Sequence, residues 1–135
     1  MDFTDDDLRA LATTYVLRGY LNDYDSHGVA SLARDAYQSA VAAGDAIIRA
    51  HGIDPDLFNE DPDLRDHMGA RSVERWVELL RETIATIERR RAMWLRGFRG
   101  AMVRRAAARR SGEDQGWWTD AAREARDMYR AHGGR

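Results

Sequence analysis

The chain contains no cysteine and no lysine; all 21 of its Lys+Arg positions are arginine. Without cysteine there are no disulfides, no thiol nucleophile and no thiolate zinc site, and the redox compartment stays open. Without lysine there is no Walker-type phosphate loop, no Schiff base and no lysine general base. Arginine cannot serve as that base, because it stays protonated at any working pH. No apolar run approaches the roughly 18 residues of a membrane span, and no segment alternates like a strand. The opening Met1-Asp2-Phe3-Thr4-Asp5-Asp6-Asp7 is acidic where a signal peptide carries basic residues, so a cytoplasmic protein without membrane contact is expected. Arginine in place of lysine also fits G+C-rich coding, as in an actinobacterium or one of its phages.

Of the 135 residues, 44% are hydrophobic and 33% charged, the balance of a globular chain. One helical domain over 1–135 is expected. The net charge of −2 hides a strong segregation. Residues 1–63 hold 13 acids against four arginines, whereas residues 89–110 hold nine arginines and no acid. Such a dipole steers an acidic or self-complementary partner.

A first helix is signalled by Thr4 as cap, Asp7 as its capping-box partner, and Phe3 placed to staple onto Leu8. Leu8, Leu11, Ala12, Tyr15 and Gly19 share one face, to about Leu21, before a turn at 22–25. A second helix is expected from a cap at Asp25 or Ser26 to His51, stopped by Gly52. Its stripe is Val29, Leu32, Ala33, Ala36, Ala40, Ala43, Gly44 and Ile47. Residues 52–63 hold both prolines and read as a connection. Asp61 and Pro62 open a third helix, which Gly69 breaks and Ser72 restarts.

From Val73 the 4-3-4-3 spacing is regular: Val73, Val77, Leu80, Ile84, Ile87, Arg91, Trp94, Phe98, Ala101, Arg105, Ala108. A long helix over 72–110 follows, with a bend or break at Gly97–Gly100. After a loop at 111–116, Trp117 and Trp118 precede a last helix capped by Thr119 and ending at His132-Gly133. The fold class is all-α: an antiparallel bundle of four to five helices with the long helix as spine.

The candidate site is the basic stretch of Arg89, Arg90, Arg91, Trp94, Arg96, Arg99, Arg104, Arg105, Arg109 and Arg110. Guanidinium forks match phosphates, and interleaved Trp94 and Phe98 can stack. At about 100° per residue the arginines surround the helix, so they either protrude as a basic arm or pair with acids of this or a second copy. No metal or cofactor is expected. The acidic residues Asp54, Asp56, Glu60, Asp61 and Asp63 lack calcium-loop spacing. His27, His51, His67 and His132 form no i,i+4 pair, and Asp63 with His67 is only a two-ligand face. His51 and His132 each precede a helix-ending glycine and read as capping residues.

The segment Arg126-Asp127-Met-Tyr-Arg-Ala-His132 resembles the catalytic motif of HEPN-type helical ribonucleases, and residues 36–55 are similar to a HEPN helix with its Gly-Ile exit. The resemblance implies RNA cleavage without metal, Arg126 stabilising phosphorane charge and His132 moving protons across a dimer. Two readings therefore stand. The main one is a non-enzymatic, homo-oligomeric interaction module whose arginines contact an acidic protein, a second copy or nucleic acid. The alternative is a HEPN-like endoribonuclease. An interaction module would leave Arg126 and His132 exposed; a nuclease would bring them into one cleft.

Overall fold

Six helices and no strand occupy the described residues of the computed structural model, which are 2–25, 30–67 and 69–135, with side chains undescribed at 23–25, 30–32, 63 and 66. The helices are α1 (Asp5–Asp25), α2 (Ala30–Ala50), α3 (Pro55–Asn59), α4 (Pro62–Asp66), α5 (Val73–Ser111) and α6 (Gly116–Ala131). Two compact units can be separated, Met1–Ala85 and Thr86–Arg135, and α5 contributes residues to both. The all-α class is as expected, and no described helix is long and apolar enough to cross a membrane.

In the first unit, α1 starts on a complete capping box. The Asp7 amide donates to Thr4 Oγ1 and the Thr4 amide to Asp7 Oδ2, both at 3.1 Å. Phe3 stacks on the His51 ring, with centroids 3.7 Å apart, instead of being a simple staple within α1. His51 Nε2 lies 3.3 Å from Asp7 Oδ2, so the end of α2 docks on the start of α1. The helix does not turn at residue 22 but runs on to Asp25. The caps expected at Asp25 or Ser26, together with His27 and the stripe residues Val29 and Leu32, lie outside the described side chains.

All five residues of the α1 face are buried. On α2 the stripe needs correction: Ala33, Ala40, Gly44 and Ile48 are buried, whereas Ala36 and Ala43 are exposed. Ile48, fully buried, was not on the expected stripe. The face rotated because Gly44 sets the contact: a Cβ there would come within 2.9 Å of Thr14 Oγ1 and 3.5 Å of Leu11 Cδ1. Thr14 cannot give way freely, since its hydroxyl donates to Leu11 O at 2.7 Å. Gly52, at φ +75°, ends α2 with Gly52 N bonded to Arg49 O and Ile53 N to Ile48 O.

The expected connection at 52–63 is itself helical in part. Asp54 Oδ1 accepts from the Asp56 amide at 3.0 Å and Pro55 takes the first helical position, so turn chemistry becomes a helix cap. Phe58 of α3 and Leu64 of α4 are buried. The break near Gly69 and the Ser72 restart are present, with the Arg75 amide on Ser72 Oγ at 3.3 Å. Trp76, absent from the expected seam, is fully buried. It stacks on Tyr15 at 4.6 Å and 11°, and its indole N–H donates to Ala70 O.

Every expected seam residue of α5, from Val73 to Ala108, is buried or half-buried. Gly97 and Gly100 do not break the helix, which is continuous over 39 residues. Each glycine costs about 1 kcal/mol relative to alanine, which a long cooperative helix covered along its seam absorbs. In the second unit the buried apolar residues are Ile87, Ala101, Ala108, Ala122 and Ala125. The last helix starts earlier than expected. Asp114 Oδ1 accepts from the Gly116 amide at 2.9 Å, and Thr119 is internal, its hydroxyl on Gln115 O. Trp117 and Trp118 thus stand in its first turn.

Two measurements test this packing. Trp76→Ala should cost about 3–5 kcal/mol in urea unfolding, as large buried aromatics do. Thr83 is fully buried and its hydroxyl has no partner among the described residues, so Thr83→Val should be neutral or stabilise by about 1 kcal/mol. A strongly destabilised Thr83→Val would show that the hydroxyl is satisfied.

The cap also titrates. Hydrogen bonds from Thr4, reinforced by His51, hold the Asp7 carboxyl below its ordinary value of 3.8. A depressed folded-state value contributes stability that is present above the unfolded value and lost as pH falls through the folded one. Stability should therefore drop from about pH 4 downward, and Asp7→Asn should flatten that limb in urea midpoints taken across it. Glu74, lowered by its own backbone N–H and by the Ser72 hydroxyl, should retain a share of the acid sensitivity.

Candidate polyanion interface

The second half of α5 presents Arg89, Arg90, Arg96, Arg99, Arg104, Arg109 and Arg110 to solvent, while Arg91, Trp94 and Arg105 are half-buried. Arg91 and Arg105 are the two at seam positions. One face of this stretch is covered, at Ala101 and Ala108. Alanine permits close approach there, and the seam arginines reach outward along their aliphatic stems. Trp94 is not an open stacking platform.

None of the nine arginines forms an ion pair among the described residues. Arg89 Nη2 donates to Thr86 Oγ1 at 3.0 Å, and Arg104 lies 5.0 Å over the Trp118 ring. That cation–π contact is not legible in the sequence, which puts the two tryptophans ahead of the last helix instead of in its first turn. Trp118 in turn meets Trp117 edge-on at 4.3 Å, and Trp117 is 68% exposed. Met93 and Val103 add exposed apolar area between the arginines.

The acidic first unit uses some of its charge internally. Asp5 pairs with Arg81 at 2.7 Å, and Asp7 with His51. Asp2, Asp6, Asp35, Asp56 and Glu60 are exposed and form no ion pair among the described residues. Two surfaces of opposite sign therefore coexist on one chain.

Arg126 and His132 differ in environment. Arg126 is exposed, with its guanidinium 3.4 Å from Asp127 Oδ1. His132 is 2% exposed and is the C-cap of α6; its Nδ1 donates to Met128 O at 2.6 Å. Gly133 at φ +92° and the bonds of Gly133 N to Arg130 O and Gly134 N to Tyr129 O complete the helix end. The exposure of both residues expected of an interaction module thus holds for Arg126 and not for His132. A buried histidine touches no substrate unless this helix end opens. His51 likewise sits at a helix end, as expected. Among the described residues no three His, Asp or Glu side chains gather as metal ligands, and the Asp63 side chain of the proposed Asp63–His67 face is not described.

Comparison with known protein families, curated proteins and solved structures gives no match.

The environments of the two motif residues predict separate outcomes. His132→Ala should cost about 2 kcal/mol by removing a buried ring and a capping hydrogen bond. Arg126→Ala should stay within about 0.5 kcal/mol, because its ion pair is exposed. Thermal melts of the two variants side by side provide the check.

Proposed function

We propose that this protein is a non-enzymatic helical assembly module, in which the arginine-rich half of α5 engages the acidic surface of a second copy. The observation that carries the reading is the set of seven exposed arginines without ion pairs among the described residues, together with exposed acids on the first unit that likewise form no ion pair among them. Like charges packed on one helix repel, and an acidic partner relieves that repulsion. The second unit supports the same reading: its buried apolar residues are one isoleucine and four alanines, which contribute little by burial alone. Exposed Met93, Val103 and Trp117 give a partner apolar area to cover. An acidic protein or nucleic acid would meet the same arginines by the same chemistry.

Light scattering at about 0.05 and about 0.5 M salt tests this, using the parent and a variant with Arg96, Arg99, Arg109 and Arg110 changed to Gln. The parent should be oligomeric at low salt and lose mass at high salt, and the variant should be monomeric in both, with helicity unchanged. A parent that is monomeric at low salt overturns the second-copy reading. Random-sequence DNA or RNA binding with a log–log salt slope that shrinks by about 0.7–0.9 per lost arginine would make nucleic acid the partner instead. Metal-independent RNA cleavage abolished by both His132→Ala and Arg126→Ala, with folding retained, would replace the proposal with the ribonuclease reading.

A further inference from the structure

Within the second unit, α5 and α6 enclose a groove of about 370 Å³ lined by Phe98, Met102, Arg105, Thr119, Ala122, Arg123 and Arg126. On α5 the lining residues follow i, i+4, i+7 spacing, and on α6 Thr119, Ala122, Arg123 and Arg126 share one face at i, i+3, i+4, i+7. Three guanidiniums thus line one concavity together with an aromatic ring, a thioether and an alanine methyl.

The charge in this groove is offset only in part, by acids along α6. No acid lines it. Arg105 has no ion pair among the described residues. Arg123 meets Asp120 only at 3.9 Å, and Arg126 meets Asp127 at 3.4 Å, each in an exposed pair along α6 itself. Exposed pairs of that kind hold little energy and yield readily to a better anion. Thr119 has committed its hydroxyl hydrogen to Gln115 O, so the available donors are the guanidiniums. Three forks exceed what the two oxygens of a carboxylate can accept and suit the three terminal oxygens of a phosphate monoester. Phe98 and Met102 then offer a flat, polarizable wall to the group the phosphate carries. The volume lies within the range of small-ligand sites, about 300–1,000 Å³.

We infer that this groove binds a phosphate monoester bearing a flat apolar or aromatic group, the phosphate held by Arg105, Arg123 and Arg126 and the flat group against Phe98 and Met102. The inference does not rest on self-association, which was assigned to arginines outside the groove. A free small ester and the 5′-phosphorylated end of a nucleic acid present the same chemistry.

Calorimetric titration of the full chain with phenyl phosphate, inorganic phosphate and benzyl alcohol tests the assignment. Phenyl phosphate should bind with one site per chain and about tenfold or more above either fragment alone. Arg105→Gln combined with Arg126→Gln should lower that affinity by about tenfold or more. Met102, 39% exposed, can be changed without disturbing the core. Met102→Glu should therefore abolish binding while the circular dichroism spectrum is retained, which keeps the test decisive should the double variant fail to fold. Displacement of phenyl phosphate by a 5′-phosphorylated trinucleotide, but not by its 5′-hydroxyl counterpart, upholds the groove with a nucleic-acid end as occupant. Displacement by neither upholds it with a free ester. Equal displacement by both, undiminished binding in Met102→Glu, or no binding of phenyl phosphate by the parent overturns the inference.

Discussion

The stack of Tyr15 on Trp76 is the contact around which the first unit is arranged. Both rings are buried, and each reaches a further element through its polar edge. The Trp76 indole N–H donates to Ala70 O, which fixes the link before α5. The Tyr15 hydroxyl donates to Asn59 Oδ1, while Asn59 Nδ2 donates to Pro55 O and, at 3.4 Å, to Asp45 Oδ1. Arg18 lies over both Tyr15 and Tyr37. One aromatic pair therefore joins α1, α2, α3 and the start of α5. Burial pushes the Tyr15 phenol above its ordinary value, so it remains a neutral donor at working pH. Large aromatic groups with satisfied polar edges specify an arrangement more sharply than aliphatic burial alone.

The second unit has no counterpart to that pair. Its buried apolar residues are Ile87 and four alanines, and none of its rings is fully buried: Trp94, Phe98, Trp118 and Tyr129 are half-buried and Trp117 is exposed. Alanine brings helices close but removes little apolar area from water. The α6 C-terminus compensates locally, through the buried His132 cap and its glycine exit. The ends of α2 and α5 use the same hydrogen-bond pattern with glycine in the left-handed region, at Gly52 and Gly112. The ends of α2, α5 and α6 are thus specified by backbone geometry, while the composition of the interior differs between the units.

That difference explains what the sequence disclosed. The existence of the long helices, the Thr4–Asp7 box, the Ser72 restart, the Gly52 stop and the α5 seam follow from local rules and are readable, whereas the short α3 lies in a stretch that reads as a connection. The α2 face was not, because its rotation is set by Gly44 approaching Thr14 across α1, a contact between helices. Trp76 was missed because the heptad pattern assigned its turn to Val73 and Val77, although a tryptophan beside a helix start is itself a signal of burial. Asp54 caps α3, and the Asp114 side chain bonds the first amide of α6, in stretches rich in turn residues, where a helix start and a turn look alike. The α6 face with Thr119, Arg123 and Arg126 has plain i, i+4, i+7 spacing. The helix expected from Thr119 already contains it, but nothing in the sequence shows that it faces Phe98, Met102 and Arg105 of α5.

The charge pattern was the most prominent feature of the sequence, and the structure changes its meaning. Nine arginines around a helix would suggest an arm in solvent, but Ala101 and Ala108 are buried and Arg91 and Arg105 are drawn partly in. The nine therefore divide by environment. Seven are exposed, a diffuse field that salt screens over about 8–10 Å and that the proposed function uses to capture an acidic partner; Arg91 is half-buried at a seam position. Half-buried Arg105 belongs to a different population, lining an open concavity with the exposed Arg123 and Arg126 and with Phe98 and Met102. A guanidinium against such apolar groups interacts more strongly and more selectively with one anion than the same group does in open solvent. On the two proposals made above, the basic charge divides into long-range attraction along the exposed helix and short-range recognition in the groove, and substitutions in one set should leave the chemistry of the other intact.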